Sequence, residues 1–284
     1  MLRIAIQKSG RLSEKSLELL SEAGINFANS ERKLVAKAGN FPVEALYLRD
    51  DDIPQCVADG VADVGIVGEN VVMEKGYKLE VVERLGFGKC RLSLAIPKNI
   101  DYEKLSWFNG RKIATSYPNI LRKFLVQNGV KADIHEISGS VEISTGIGIA
   151  EAIFDIVSSG STLISNGLKE VVEAAKSEAV MVGKNSRLTA EKKEILDTLL
   201  FRLHAVQKGR KNKYVLLNAP LEKVDKITAV IPGMKSPTVV PLAQSGWCSI
   251  HSVLPDNEFW EIIEKLKKLG AQGILVMPIE KMIV

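Results

Sequence analysis

Residues 148–162 read GIAEAIFDIVSSGST, and residues 53–70 read IPQCVADGVADVGIVGEN. Each stretch reads as a short helix, an Asp (Asp155 and Asp63), a short apolar strand and a turn holding a Gly (Gly160 and Gly68). Each turn then leads into another helical segment. A short apolar run bounded by turn residues suits a buried strand, and strands alternating with helices imply an α/β sheet, mainly parallel, with helices on its faces. The same unit twice implies two similar lobes, although any strand–turn–helix shares this outline. Two such lobes facing each other make a cleft, a favoured place for small molecules.

Working outward, Leu2–Gln7 (LRIAIQ) alternates and reads as a strand, followed by the turn Lys8-Ser9-Gly10-Arg11 and a helix over 13–23 that Gly24 stops. Val43–Leu48 is a further strand ending in Arg49-Asp50-Asp51-Asp52. The second lobe starts near Lys89, with strands at 91–96 and 112–115. Ser116 then suits an N-cap and Pro118 a first helical turn. Residues 170–182 return the chain to the first lobe, and 189–207 form a long helix. This gives lobe I as 1–88 with 183–208 and lobe II as 89–182. The tail has another rhythm: strand 214–218, helix 221–231 followed by Pro232-Gly233, strands 238–243 and 249–254, amphipathic helix 257–269, strand 273–278. The order βαββαβ is ferredoxin-like. It predicts a separate domain over 212–284, after a basic run, KGRKNK at 208–213, that reads as a solvated linker.

Composition narrows the class. The 284 residues are 46% hydrophobic and 25% charged, ordinary globular usage. No apolar run approaches the roughly 18–20 residues of a membrane helix. The first residues lack the apolar core of a signal peptide, so a cytoplasmic protein is expected. The net charge of +4 is too mild, and too little clustered, for a nucleic-acid binder. Three cysteines (Cys56, Cys90, Cys248) without C-x-x-C spacing argue against a disulfide framework and a structural zinc site, and the three histidines are scattered.

The sharpest chemical signal is Ser158-Ser159-Gly160-Ser161-Thr162. Placed between a strand and a helix, such a loop turns backbone N–H groups and hydroxyls toward an anion, and Gly160 lets the backbone come close. No Walker lysine motif occurs. Ser/Gly loops are also common plain turns. Glu151 and Asp155 just before the loop suit ribose hydroxyls or Mg²⁺, which together with the loop suggests a sugar phosphate. Lys8, Gly10 and Arg11 follow the first strand, Arg49 the next, and Glu69 and Asn70 the one after. At strand ends these offer cations for phosphates and polar groups for a base or ribose, unless they are surface charges and helix caps. Tyr117 is placed to stack on a base or to fill core. With no nucleophile–base pair in the sequence, such a site suits transfer by positioning and electrostatic stabilisation.

In this order, QKSGRLSEKS, LRDDDIPQCVADGVADVGIVGENV, GKCRLSLA, RKIATSYPN, SGSVE and AEAIFDIVSSGSTL resemble the ATP phosphoribosyltransferases, which open histidine biosynthesis. KYVLLNAP, PGMKSPTVVPLA and GILVMPIEKM extend the resemblance over nearly the whole chain, in the long form that carries its own regulatory domain and needs no separate regulatory subunit. The resemblance implies a two-lobed catalytic part like periplasmic binding proteins. It implies attack of N1 of ATP on C1 of phosphoribosyl pyrophosphate (PRPP), with Mg²⁺ on the pyrophosphate. Asp155 and Ser158, Ser159, Gly160, Ser161 and Thr162 would hold the 5-phosphate and ribose, with Glu142 and Glu151 nearby. Lys8, Gly10, Arg11, Arg49, Glu69, Asn70 and Tyr117 would line the ATP and pyrophosphate side. Histidine is the implied inhibitor, at a pocket including Asn218, Thr238 and Ala271, in an enzyme of dimers and hexamers. Some members carry an acidic residue where this chain has Asn218. The reading from another class is a binding or sensor protein with the same lobes and no turnover. A phosphoribosyltransferase for another base is disfavoured by the length of the match.

Overall fold

A computed structural model describes residues 1–27, 34–231 and 233–283; Pro232, read above as following a helix, lies outside them. The chain divides into two compact units, Met1–Glu18 with Ile25–Leu196, and Leu19–Gly24 with Asp197–Val284.

The first unit holds two sheets. In chain order the first lobe supplies β1 (Leu2–Gln7), α1 (Arg11–Glu22), β2 (Val35–Lys37), β3 (Val43–Leu48), α2 (Ile53–Asp59), β4 (Val64–Gly68), α3 (Glu69–Lys75) and β5 (Glu80–Arg84). The second supplies β6 (Cys90–Pro97), β7 (Lys112–Thr115), α4 (Pro118–Gln127), β8 (Asp133–Glu136), β9 (Ala152–Val157), α5 (Ser161–Ser165) and β10 (Leu168–Ser177). The chain then returns as β11 (Ala179–Gly183), followed by α6 (Ala190–Arg210). The strand orders are β2-β3-β1-β4-β11-β5 and β10-β6-β9-β7-β8. Ile4, Ala5 and Ile6 of β1 are all buried, as expected of a central parallel strand covered on both faces.

Both sheets are mixed rather than mainly parallel. β1 pairs in parallel with β3 and β4, and β7 with β8 and β9. The crossing strands enter antiparallel: β11 against β4 and β5, β6 against β9 and β10. The two crossings run side by side, with Leu85 N–H donating to Ala179 O (3.0 Å) and Ala179 N–H to Phe87 O (2.9 Å). The stretch 170–182 therefore splits. β10 stays in the second lobe and only β11 belongs to the first, so the expected boundary at 182 falls at Glu178. The helix expected before β9 is absent. Gly148 has φ +76°, incompatible with a right-handed helix, and residues 144–151 form turns.

In the second unit β12 (Asn212–Pro220), α7 (Val224–Val230), β13 (Thr238–Pro241), β14 (Trp247–Pro255), α8 (Phe259–Lys268) and β15 (Gln272–Pro278) form an antiparallel sheet ordered β13-β14-β12-β15. Numbered within the domain this is 2-3-1-4, the ferredoxin-like arrangement. Its core joins Val215, Leu217, Ala219, Ile250 and Leu254 to Ile262 and Leu266 of α8. The basic run 208–213 is not a linker, since only Lys211 separates α6 from β12. Lys and Arg are good helix formers. Arg210 is further held by Glu22, whose two oxygens accept from Nη2 (2.7 Å) and Nε (2.9 Å). Among the described residues no helix is long and apolar enough to cross a membrane.

Candidate active site

Apolar β9 delivers Asp155 near its end and then the hydroxyl loop, before five-residue α5. Gly160 has φ +80°, a conformation that costs any other residue roughly 1–2 kcal/mol. The Ser159 and Ser161 hydroxyls lie 2.9 Å apart, and Arg91 Nη1 donates to the Ser158 carbonyl (3.2 Å). Burial, opposed by the Ile156 N–H that it accepts at 2.7 Å and reinforced by the Glu142 charge, raises the Asp155 carboxyl to about 6. Asp155 and Glu142 thus sit in one electrostatic field, beside a loop of exposed hydroxyls.

The other wall comes from the first lobe. Lys8 N–H donates to Leu48 O (2.7 Å), which sets Lys8 and Arg49 at neighbouring strand ends. Lys8, Gly10, Arg11 and Arg49 are exposed there, and Gly10 has φ +96°. β4, the other neighbour of β1, leads directly into Glu69 and Asn70 at the start of α3. Asn70 spans the lobes: its Nδ2 donates to Tyr117 Oη (3.2 Å), its Oδ1 accepts from Ser177 Oγ (2.9 Å), and its N–H donates to that same oxygen (2.9 Å). Burial, then the Asp155 charge, push the Tyr117 phenol upward, with Asp50 adding to the rise and the Asn70 bond opposing it. Asn70 of the first lobe thus bonds to Tyr117 of the second, within electrostatic reach of Asp155 from the second lobe and Asp50 from the first. One turn along α3, Glu74 accepts from the N–H groups of Asn119 (2.9 Å) and Ile120 (3.0 Å) at the start of α4.

Glu151 does not join them. Its carboxylate accepts from Lys112 N–H (2.8 Å), at the start of β7 and of its parallel neighbour β9. Asp155 and the loop lie at the other end of β9, so proximity in sequence was misleading along an extended strand. Conversely, a cavity of about 680 Å³ that reaches Glu69 and Ser158 is lined by Arg84, Lys89, Arg91 and Glu178, which sequence reasoning missed. Arg84 engages both Glu69 oxygens (2.7 and 2.8 Å) and Glu178 (3.2 Å). Their only sequence signal is position at the crossings between lobes.

In the second unit, Asn218, Ser249, His251 and Thr238 share the sheet face opposite the buried Leu217 and Ile250, by strand register and alternation. Asn218 also approaches Gly273, where an added Cβ would meet its Nδ2 at 3.3 Å. Ala271 departs from the expected set: it is 7% exposed and belongs to the core on the helix side.

Two mixed lobes joined by paired crossings, with polar groups of both meeting between them, define a two-lobed α/β cleft protein of the periplasmic-binding-protein architecture. A histidine kinase sensor domain with similarity to periplasmic binding proteins shares this fold (TM-score 0.50, 12% identity, 73% of this chain and 90% of that one). The chain belongs to the ATP phosphoribosyltransferase family, whose model matches residues 49–205, and the model of that family's C-terminal domain matches 209–281. It is 63% identical to the ATP phosphoribosyltransferase of Bacteroides thetaiotaomicron over 284 residues, all of both chains. It is 58% identical to that of Cytophaga hutchinsonii over 283 residues, covering 100% of this chain and 99% of the other. Among solved structures it is similar to a chain of the Thermotoga maritima ATP phosphoribosyl transferase (HisG:HisZ) complex (TM-score 0.62, 26% identity, 72% of this chain and 98% of that one). The chain is accordingly a pentosyltransferase, which joins N1 of ATP to C1 of PRPP and releases pyrophosphate in the first step of histidine biosynthesis.

Proposed function

We propose that Ser158–Thr162 cradles the 5-phosphate of PRPP, that Asp155 and Glu142 take its ribose hydroxyls, and that Lys8, Gly10, Arg11, Arg49, Glu69, Asn70 and Tyr117 line the ATP and pyrophosphate side. The observation that carries this reading is Asp155, largely desolvated and raised to about 6, directly before the hydroxyl loop and in the field of Glu142. A carboxylate held in that state gains most from hydroxyl donors. As the N1–C1 bond forms and the C1–O bond breaks, positive charge grows on the ribose and negative charge on the departing pyrophosphate. Carboxylates face the first and cations the second, an arrangement that favours the transition state over the substrates. Glu151 has no part in this site.

Mg²⁺ belongs to the same proposal. Among the described residues no group of three or more His, Cys, Asp or Glu side chains is placed to hold a metal ion. Phosphate oxygens of PRPP would therefore be its main ligands, with Asp155 and Glu142 the nearest protein carboxylates. Bound there, it would neutralise pyrophosphate charge.

The C-terminal domain is, on this reading, the histidine-binding regulator. Asn218 and Thr238 on one sheet face support it, with Ala271 offering backbone rather than its buried methyl. Dimers, and hexamers with inhibitor, are part of the same reading.

Gly160→Glu tests the cradle. Space is available, since the nearest heavy atom to an added Cβ is Val157 Cγ1 at 3.9 Å. The fold should therefore survive at a cost of about 1–2 kcal/mol, while the added carboxylate repels the 5-phosphate. PRPP affinity by calorimetry should fall at least about 100-fold, the equivalent of roughly 2.7 kcal/mol. Unchanged affinity would remove the loop from the site.

A further inference from the structure

We propose that Arg91 is a positioning residue for PRPP: with Glu170 it fixes the peptide plane between Ser158 and Ser159. The inference rests on the cradle reading above. Arg91 lies at the start of β6, and Glu170 is 79 residues away on β10. Nε and Nη2 of Arg91 donate to the two Glu170 oxygens, while Nη1 donates to the Ser158 carbonyl at 3.2 Å. The fully buried Ser93 hydroxyl donates to the same carboxylate (2.7 Å). The guanidinium is thus held in one orientation by a planar fork, with a single edge left for the loop.

A trans peptide points its C=O and the following N–H in opposite directions. A Ser158 carbonyl tied to Arg91 therefore aims the Ser159 N–H away from Arg91. Without that tie, the same peptide is free to rotate and present a carbonyl oxygen where the cradle needs a donor. An anion would then meet repulsion in place of a hydrogen bond. Glu170 absorbs most of the Arg91 charge, which suits a strut better than a direct phosphate ligand. The Arg91 hydrogen bond also holds the Glu170 carboxyl below its usual range, so the pair stays ionised at neutral pH.

The test uses the full chain with Arg91→Lys and Glu170→Gln, and two fragments of PRPP as inhibitors: ribose 5-phosphate for the cradle and pyrophosphate for the cation wall. Both variants should raise the PRPP KM and the ribose 5-phosphate inhibition constant by a common factor of about tenfold, the scale of one charge-assisted hydrogen bond. The pyrophosphate inhibition constant and the ATP KM should stay within about twofold. Ser93→Ala, which removes one support of Glu170, should move the same two constants in the same direction by less. It serves where the larger changes impair folding. A loss confined to pyrophosphate in Arg91→Lys would overturn the proposal and make Arg91 a direct contact. So would unchanged or tighter PRPP binding in Glu170→Gln. If Gly160→Glu leaves PRPP affinity intact, the cradle reading fails; if Gly160→Glu abolishes it and these variants do nothing, only the positioning role fails.

Discussion

Asp155 is the residue at which stability and function pull apart. Its carboxyl lies near 3.8 in the unfolded chain and about 6 in the folded one, chiefly through burial. A raised acid binds its proton more tightly in the native state. Above pH 6 the folded protein carries a desolvated carboxylate, and the penalty is fully present; below about 3.8 both states are protonated and it vanishes. The difference corresponds to roughly 3 kcal/mol, an upper figure. Asp155→Asn should accordingly melt higher than the parent at pH 8, with the gain shrinking toward pH 4, while kcat/KM for PRPP falls at least about 100-fold. Equal melting temperatures at both pH values would remove the burial argument. Asp155 and the hydroxyl loop were legible in the sequence because they are contiguous. Arg91 and Arg84 were not, since each acquires its role from strand register: Arg91 meets Glu170 across 79 residues and Arg84 meets Glu178 across 94.

At the scale of elements, the lobes are stitched where α3 meets α4. Asn70 and Glu74 stand four apart on α3 and so share a face. The first holds Tyr117 and the second accepts two orphan N–H groups at the start of α4, acting as an N-cap supplied by the other lobe. Glu74 is only 8% exposed, so removing it leaves those donors without water to replace it. Glu74→Ala should cost about 1–3 kcal/mol, lowering Tm by roughly 2–12 °C for a unit of this size. Amide exchange at Asn119 and Ile120 should rise with it; unaltered exchange there would dismiss the trans cap. No local pattern reveals such a pairing, because the cap and the helix belong to different lobes. The edge strands β5 and β8 also escaped sequence reading, since most of their residues are exposed or half-buried and show no apolar alternation. The strongly periodic elements, β1, α4 and α8, were read within a few residues of their observed ends.

For the whole molecule, the repeat predicted two lobes and the change of rhythm a ferredoxin-like tail, and both are present. What the sequence hid was how the chain passes between lobes. β10 and β11 are separated only by Glu178, yet they belong to different sheets. Likewise the basic run 208–213 has the composition of a linker but ends a helix and begins a strand. The proposed control of the catalytic cleft by a histidine-binding tail involves both units and is tested on the full chain. The measurement is ultraviolet detection of phosphoribosyl-ATP from ATP, PRPP and Mg²⁺ with pyrophosphatase, with and without histidine. Product that forms and is suppressed by histidine is the predicted result. No product while both substrates still bind would contradict catalysis and favour a binding protein, and product indifferent to histidine would contradict the role given to the tail.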